Sequence, residues 1–250
     1  MSEYYTAKRS KNLYEPGSSA TFKLSRSKIE LYMQCPRCFY LDRRMGVGRP
    51  PSPPYTLNSA VDALLKKEFD LYRKKGEAHP LMEKYGVDAV PAGHAMLEEW
   101  RNNFKGVQYL HKPTNLLLFG AIDDIWLNRA GQYIVVDYKS TSKNEEIRSL
   151  DKDWQDAYKR QMEIYQWLLR NNGMDVSPTG YFVYCNGSTA AHRFDARLEF
   201  EITLIPYEGS DAWVEEIINR IYGCLNSPHM PPEGKDCDFC AYRRAASCPS

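Results

Sequence analysis

Apolar positions recur at helical spacing in five stretches of the chain, and they alternate or run together in four others. Residues 1–21 are polar and mixed and read as a mobile tail. A short apolar beat, Phe22-Lys23-Leu24, leads into the first expected helix. Ser27-Lys28-Ile29-Glu30 has the spacing of a capping box, and Ile29, Tyr32, Met33, Phe39 and Tyr40 follow at helical intervals to a stop at Gly46. Residues 46–54 carry four prolines and are expected as a loop. A second helix is expected over 57–75, with Val61, Leu64, Leu65, Phe69 and Tyr72 along one face. The stretch 76–93 reads as irregular, and a third helix as spanning 94–104. The period then shortens. Residues 116–127 and 133–139 are β-rich runs joined by Asn128-Arg129-Ala130-Gly131, a hairpin signature. A long helix over 153–171 ends at Asn171-Asn172-Gly173. Strands at 180–185 and 198–205 and a helix at 209–225 complete the pattern. The last twenty residues are rich in Pro and Cys with little regular pattern, and there is no internal repeat.

Within the hairpin, charge sits among apolar neighbours. The first strand reads Gly120-Ala121-Ile122-Asp123-Asp124-Ile125-Trp126 and the second Ile134-Val135-Val136-Asp137-Tyr138-Lys139-Ser140. Asp is a poor strand former, and a buried carboxylate is costly unless a cation or several donors offset it. Two carboxylates converging from neighbouring strands make a hard-oxygen site suited to Mg²⁺ or Mn²⁺. Lys139 lies two residues past Asp137, so both side chains share a strand face, where an ammonium can orient a water and offset charge on a phosphate. Taken alone, the pair also fits a surface hairpin with an ordinary Asp–Lys contact.

Composition narrows the frame. With 250 residues, 43% of them hydrophobic, the chain can bury one elaborated domain or one domain with a helical appendage. A net charge of +1 supplies no global field for nucleic acid, so any such contact must be local. Candidates are Arg43-Arg44, Lys66-Lys67 and Arg73-Lys74-Lys75, each of which also reads as a solvated face. No stretch is apolar enough to span a bilayer and the N-terminus lacks a signal-peptide core, so the expectation is a soluble, cytoplasmic protein without a membrane partner. Seven cysteines in a reducing compartment point to metal binding where they cluster.

The two strands resemble the core of PD-(D/E)XK nucleases of the RecB type, which pattern as G-x-I-D followed by a strand ending D-x-K. Gln161-Met162-Glu163-Ile164-Tyr165 resembles the family's Q-x-x-x-Y motif, and Cys35-Pro36-Arg37-Cys38-Phe39-Tyr40-Leu41 its N-terminal C-P-x-x-F-Y-L signature. The resemblance runs from about Leu24 to Cys248. It implies a restriction-endonuclease-like α/β fold, a central mixed sheet flanked by helices. By it, Asp123 and Asp137 would ligate Mg²⁺ or Mn²⁺ with the Tyr138 carbonyl. Lys139 would position the attacking water, and Gln161 and Tyr165 would support the site. Asp62 stands where the family's helix carries a metal-binding His, and is expected as a third protein ligand. The alternative for Asp62 is a solvent-facing helical residue.

RecB-type relatives, including AddB and the CRISPR-associated exonucleases, often hold a [4Fe–4S] cluster on one N-terminal and three C-terminal cysteines. Cys35, Cys237, Cys240 and Cys248 match those positions. The last spacing is longer than the family's, and Cys38 makes a second C-x-x-C with Cys35, so a structural Zn²⁺ on four thiols is the alternative. Cys185 and Cys224 read as core residues. The expected division is a tail over 1–21, a helical region over 22–110, a nuclease core over 111–227 and a Cys-rich segment over 228–250 that packs back on the first helix. The expected activity is metal-dependent DNA hydrolysis, as an exonuclease or in single-strand or flap cutting, on single strands or duplex ends. A protein partner in a repair or CRISPR-type pathway fits this reading. The alternatives are a non-catalytic DNA-binding module or an iron–sulfur redox sensor of the same fold.

Overall fold

The computed structural model describes residues 8–52 and 54–247. In chain order the helices are α1 (Arg26–Gln34), α2 (Pro36–Arg44), α3 (Thr56–Lys75), α4 (Pro80–Lys84), α5 (Leu97–Trp100), α6 (Asp156–Asn171), α7 (Val214–Asn226) and α8 (Asp238–Ser247). The strands are β1 (Phe22–Ser25), β2 (Ala89–Pro91), β3 (Val107–His111), β4 (Leu116–Gly120), β5 (Asp124–Asn128), β6 (Tyr133–Thr141), β7 (Thr179–Gly187) and β8 (Phe200–Glu208). Two compact units interleave along the chain instead of following contiguous divisions at 110 and 227. The first holds the described residues through 52, Gln108–Phe119 and those from Ala212 onward; the second holds Pro54–Val107 and Gly120–Asp211.

In the first unit β4 lies between β1 and β3, and β1 runs parallel to it. The apolar beat at Phe22 is therefore a strand. The expected first helix is two helices. Pro36 has no N–H to continue α1 and pushes the residue before it into extended conformation, so Cys35 sits at φ −160°, ψ 101°, capping one helix and opening the next. The expected capping box does not form. Ser25 occupies the cap position, Ser27 Oγ pairs with Ser25 Oγ at 2.9 Å, and Glu30 accepts from Gln34. Residues 8–21, expected to trail, are held in place: Arg9 N–H donates to the Gly46 carbonyl (3.0 Å), Tyr14 N–H to that of Arg43 (2.8 Å), and the Tyr14 hydroxyl to Asn226 (3.1 Å). Residues 238–247, read as patternless, form α8.

The second unit carries a five-stranded sheet in the order β2-β5-β6-β7-β8, antiparallel except for the parallel pair β6–β7. A parallel pair needs a crossover, and α6 supplies it. Leu65 and Phe69 of α3 pack on Trp126, Val136, Tyr138, Val183 and Leu204 of the sheet. Leu64, expected on the same helix face, is exposed. Because Val136 and Tyr138 turn toward this core, Asp137 and Lys139 turn to the opposite face of β6. The stretch 76–93 contains the short α4 and β2, and the helix expected over 94–104 shrinks to α5.

The single strand expected over 116–127 is broken at 121–123. Gly106, at φ +64°, lies so close to Gly120 that a Cβ there would meet the Gly120 carbonyl oxygen at 2.4 Å. Just beyond, Ile122 N–H turns to the Trp100 carbonyl (3.1 Å) instead of a strand partner. β4 and β5 consequently belong to different sheets, and Asp123 occupies the break.

Candidate active site

On β6, Asp137 is completely buried and forms an ion pair with Lys139. One amide on α6 joins both: Gln161 Nε2 donates to Asp137 Oδ1 (2.7 Å), while Gln161 Oε1 accepts from Lys139 Nζ (3.4 Å). The same Nε2 lies 3.1 Å from the Tyr165 hydroxyl, one helical turn on. The Lys139 ammonium also sits 4.5 Å above the Tyr158 ring. Burial would lower the Lys139 pKa, but Asp137 and Asp123 outweigh it and hold the group above its ordinary value, so it stays charged.

Asp123 reaches this group from the strand break. Its Oδ2 accepts from the Tyr138 N–H (2.9 Å). Lys66 of α3 donates to Asp123 Oδ1 (3.4 Å) and to Asp62 Oδ2 (2.8 Å). Burial, then repulsion from Asp123, raise the Asp62 carboxyl above its usual range. Asp62, Lys66, Asp123 and Lys139 line one cavity of about 340 Å³ that opens to water. The donors around it are oxygens, and an ammonium already bridges two carboxylates. This chemistry fits a hard divalent cation.

Asp124 faces the other way and builds the frame. It is fully buried, is ion-paired with Arg73, and accepts from Arg101 Nη2 (3.1 Å) and the Tyr138 hydroxyl (2.9 Å). Arg101 also donates from Nε to the Asp123 carbonyl (3.0 Å), pinning the break that carries Asp123. Sequence reasoning missed Arg101 and Tyr158, and named Lys66 only as part of a basic pair, not as the partner of Asp62 and Asp123. Lys66 was signalled by its i, i+4 spacing from Asp62, and Tyr158 by sharing a helix face with Gln161 and Tyr165. Arg101 left no local signal.

The first unit holds a second gathering. The thiols of Cys35, Cys38, Cys237 and Cys240 lie within 4.8 Å of one another. Cys35–Cys240 stand 3.8 Å apart, Cys38–Cys237 3.5 Å and Cys38–Cys240 3.7 Å. Cys38 thus stands beside Cys35, Cys237 and Cys240, while Cys248 lies outside the described residues. Cys185 is buried in β7 and Cys224 lies on α7, both apart from the four. The amides of Gly234 (3.2 Å) and Cys38 (3.4 Å) donate to Cys35 Sγ, and Arg49 Nη2 donates to Cys237 Sγ (3.4 Å). Burial would raise the Cys35 thiol, but those two amides bring it down to about 6. Burial and neighbouring thiols push Cys240 up to about 12. A Cβ on Gly234 would lie 2.1 Å from the Gln34 carbonyl oxygen, so only glycine allows this approach. Four thiols around one point suit a thiophilic metal. Among the described residues Asp62, Asp123 and Asp137 make no such gathering, each being engaged by a lysine. No helix of the described residues is long and apolar enough to cross a membrane.

A family model described as the PD-(D/E)XK nuclease superfamily matches residues 59–249. No curated protein matches the chain. Among solved structures, one described as the crystal structure of SSO0001 is similar at 16% identity, over 91% of this chain and 85% of that one, with a TM-score of 0.35.

Proposed function

The chain belongs to the PD-(D/E)XK nuclease superfamily, whose members are typically metal-dependent nucleases, and from that premise we propose that it hydrolyses DNA phosphodiester bonds with Mg²⁺ or Mn²⁺ at the β6 site, in the manner of the RecB type. The observation that carries this reading is the Asp137–Lys139–Gln161 group, with Asp123 brought against it at the mouth of an open cavity. Asp123, Asp137 and the Tyr138 carbonyl would hold the cation, with Asp62 as a third carboxylate. Bound there, the cation would supply Lewis acidity. Lys139, kept charged by its neighbours, would orient the attacking water and offset charge on the phosphate oxygens. Gln161 fixes the rotamers of Asp137 and Lys139 together, and Tyr165 fixes Gln161. The test is cleavage of single- and double-stranded DNA with each metal, parent against Lys139→Ala. Equal rates would refute the assigned site.

We further propose that the four thiols hold a single structural ion, with zinc as the best fit. Tetrahedral zinc with Zn–S bonds of about 2.3 Å sets neighbouring sulfurs about 3.8 Å apart. Three of the pairs, at 3.5 to 3.8 Å, agree with that, and all four thiols lie within 4.8 Å of one another. A cubane places each thiolate on its own iron at a separate corner, which needs a wider set. About one zinc per colourless chain, kept in Cys248→Ser and lost in Cys38→Ser, is the expected result. A brown protein that bleaches in air, losing its metal in Cys248→Ser, would favour [4Fe–4S].

A further inference from the structure

Beside the β6 cavity lies a larger one, of about 510 Å³, whose lining the site's chemistry does not use. The two are continuous: Tyr55, Asn58, Val61, Ser140 and Tyr158 line both. The second cavity adds rings and aliphatic groups, among them Trp154, Tyr184, Phe200 and Leu198. Two of these rings are spread to solvent where burial would favour covering them, Tyr55 at 72% and Trp154 at 47% exposed. Trp154 meets Tyr158 edge-on at 5.6 Å, and Tyr158 in turn lies under the Lys139 ammonium at 4.5 Å. A second ammonium, Lys143, stands 5.0 Å over the Trp154 ring. Rings therefore lead from open solvent to the lysine of the proposed site, with positive charge at both ends.

We infer that this groove is the track for single-stranded DNA, with Tyr55 and Trp154 stacking unpaired bases while the following phosphate reaches Lys139. The inference rests on the nuclease reading above and names its substrate. Two considerations select the occupant. Exposed rings beside ammonium groups are the means by which strands are held without sequence preference, since every base has a π face and every link a phosphate. Within a duplex those faces are already stacked on each other, so an aromatic groove gains nothing from paired bases.

The experiment separates binding from cutting. Binding of oligothymidylate, of the same length of oligouridylate and of a blunt duplex is measured without divalent metal, following tryptophan fluorescence. The parent should prefer oligothymidylate, with quenching that disappears in Trp154→Ala. Tyr55→Ala and Trp154→Ala should each weaken binding by roughly ten-fold or more, and Tyr55→Phe and Trp154→Phe should restore it. Trp154→Ala should still hydrolyse a small chromogenic phosphodiester at the parent's rate, because Trp154 lines the second cavity and not the one that holds Asp123 and Lys139. Parent-like binding by the alanine variants, or equal binding of duplex or of oligouridylate, would overturn the groove as a single-stranded DNA track. A parent that binds oligothymidylate as expected, yet cuts neither DNA nor the chromogenic ester, would overturn the nuclease reading and leave the groove standing.

Discussion

The thiol cluster of the first unit and the carboxylate cavity of the second are assembled by the same device and differ in what surrounds them. Each takes closely spaced pairs, Cys35 with Cys38 and Asp137 with Lys139, and completes them from distant sequence. Around the thiols the donors include backbone amides, from Gly234 and Cys38, which cannot swing away. Around the carboxylates the donors are largely long side chains, Lys66 and Lys139, facing an open cavity. A centre that only holds the chain together gains from a fixed, dry shell. A centre that exchanges substrate needs counter-charges that can yield to it.

The largest expected effect tests whether the two centres are separable. Lys139→Ala or Asp137→Ala should cut DNA hydrolysis by roughly 10²–10⁴-fold. Metal bound at the thiols should be unchanged by elemental analysis, and circular dichroism should match the parent. Loss of thiol-bound metal in these variants would mean the two are coupled. Next, Cys237→Ser or a strong thiophilic chelator should remove the structural ion and lower unfolding stability by several kcal/mol, because its binding energy acts as folding energy. A melting curve that does not move would remove the structural role.

The frame behind Asp123 comes third. Asp124→Ala leaves Arg73 and Arg101 buried without their carboxylate and should cost about 3–5 kcal/mol in denaturant unfolding. The same change should also slow hydrolysis, since Arg101 holds the Asp123 carbonyl. The smallest effect concerns charge in the thiol-bearing unit. Burial would raise Asp42, but Lys28, Arg43 and Arg9 hold it down at about 2, below its ordinary 3.8. A lowered carboxylate stabilises the fold above its ordinary pKa and loses that contribution as pH falls through the folded value. Stability followed from pH 5 to 2 should therefore drop by roughly 2 kcal/mol more in the parent than in Asp42→Asn.

Short-range spacing made part of this legible in the sequence. Asp137 and Lys139 share a face because strands alternate, and Gln161 and Tyr165 because helices turn every 3.6 residues. The resemblance to PD-(D/E)XK nucleases, read from those motifs, is borne out by the family match. The break at 121–123 was not legible, because the groups packed against it, Gly106 beside Gly120 and the Trp100 carbonyl that takes the Ile122 N–H, have no local tie to that strand. α4, β2 and β3 are too short for a periodicity to register. Arg101 was hidden for a similar reason: its partners, Asp70, Asp123 and Asp124, are far off or on another element. Cys38 was visible as a C-x-x-C partner, but its place beside Cys237, 199 residues away, leaves no local signal.

The distance along the chain between the two thiol pairs has a consequence in time. Cys38 and Cys237 are 199 residues apart. At roughly 5–20 residues per second, a ribosome needs on the order of 10–40 seconds between them. Throughout that interval Cys35 and Cys38 form half a site, able to hold an ion only weakly and open to oxidation. All of the second unit, ending at Asp211, is synthesised before the other half arrives. On the proposed thiol-bound ion, tight retention would mark chains translated through Cys240, and a chain released earlier would carry every residue lining the carboxylate cavity without the second thiol pair.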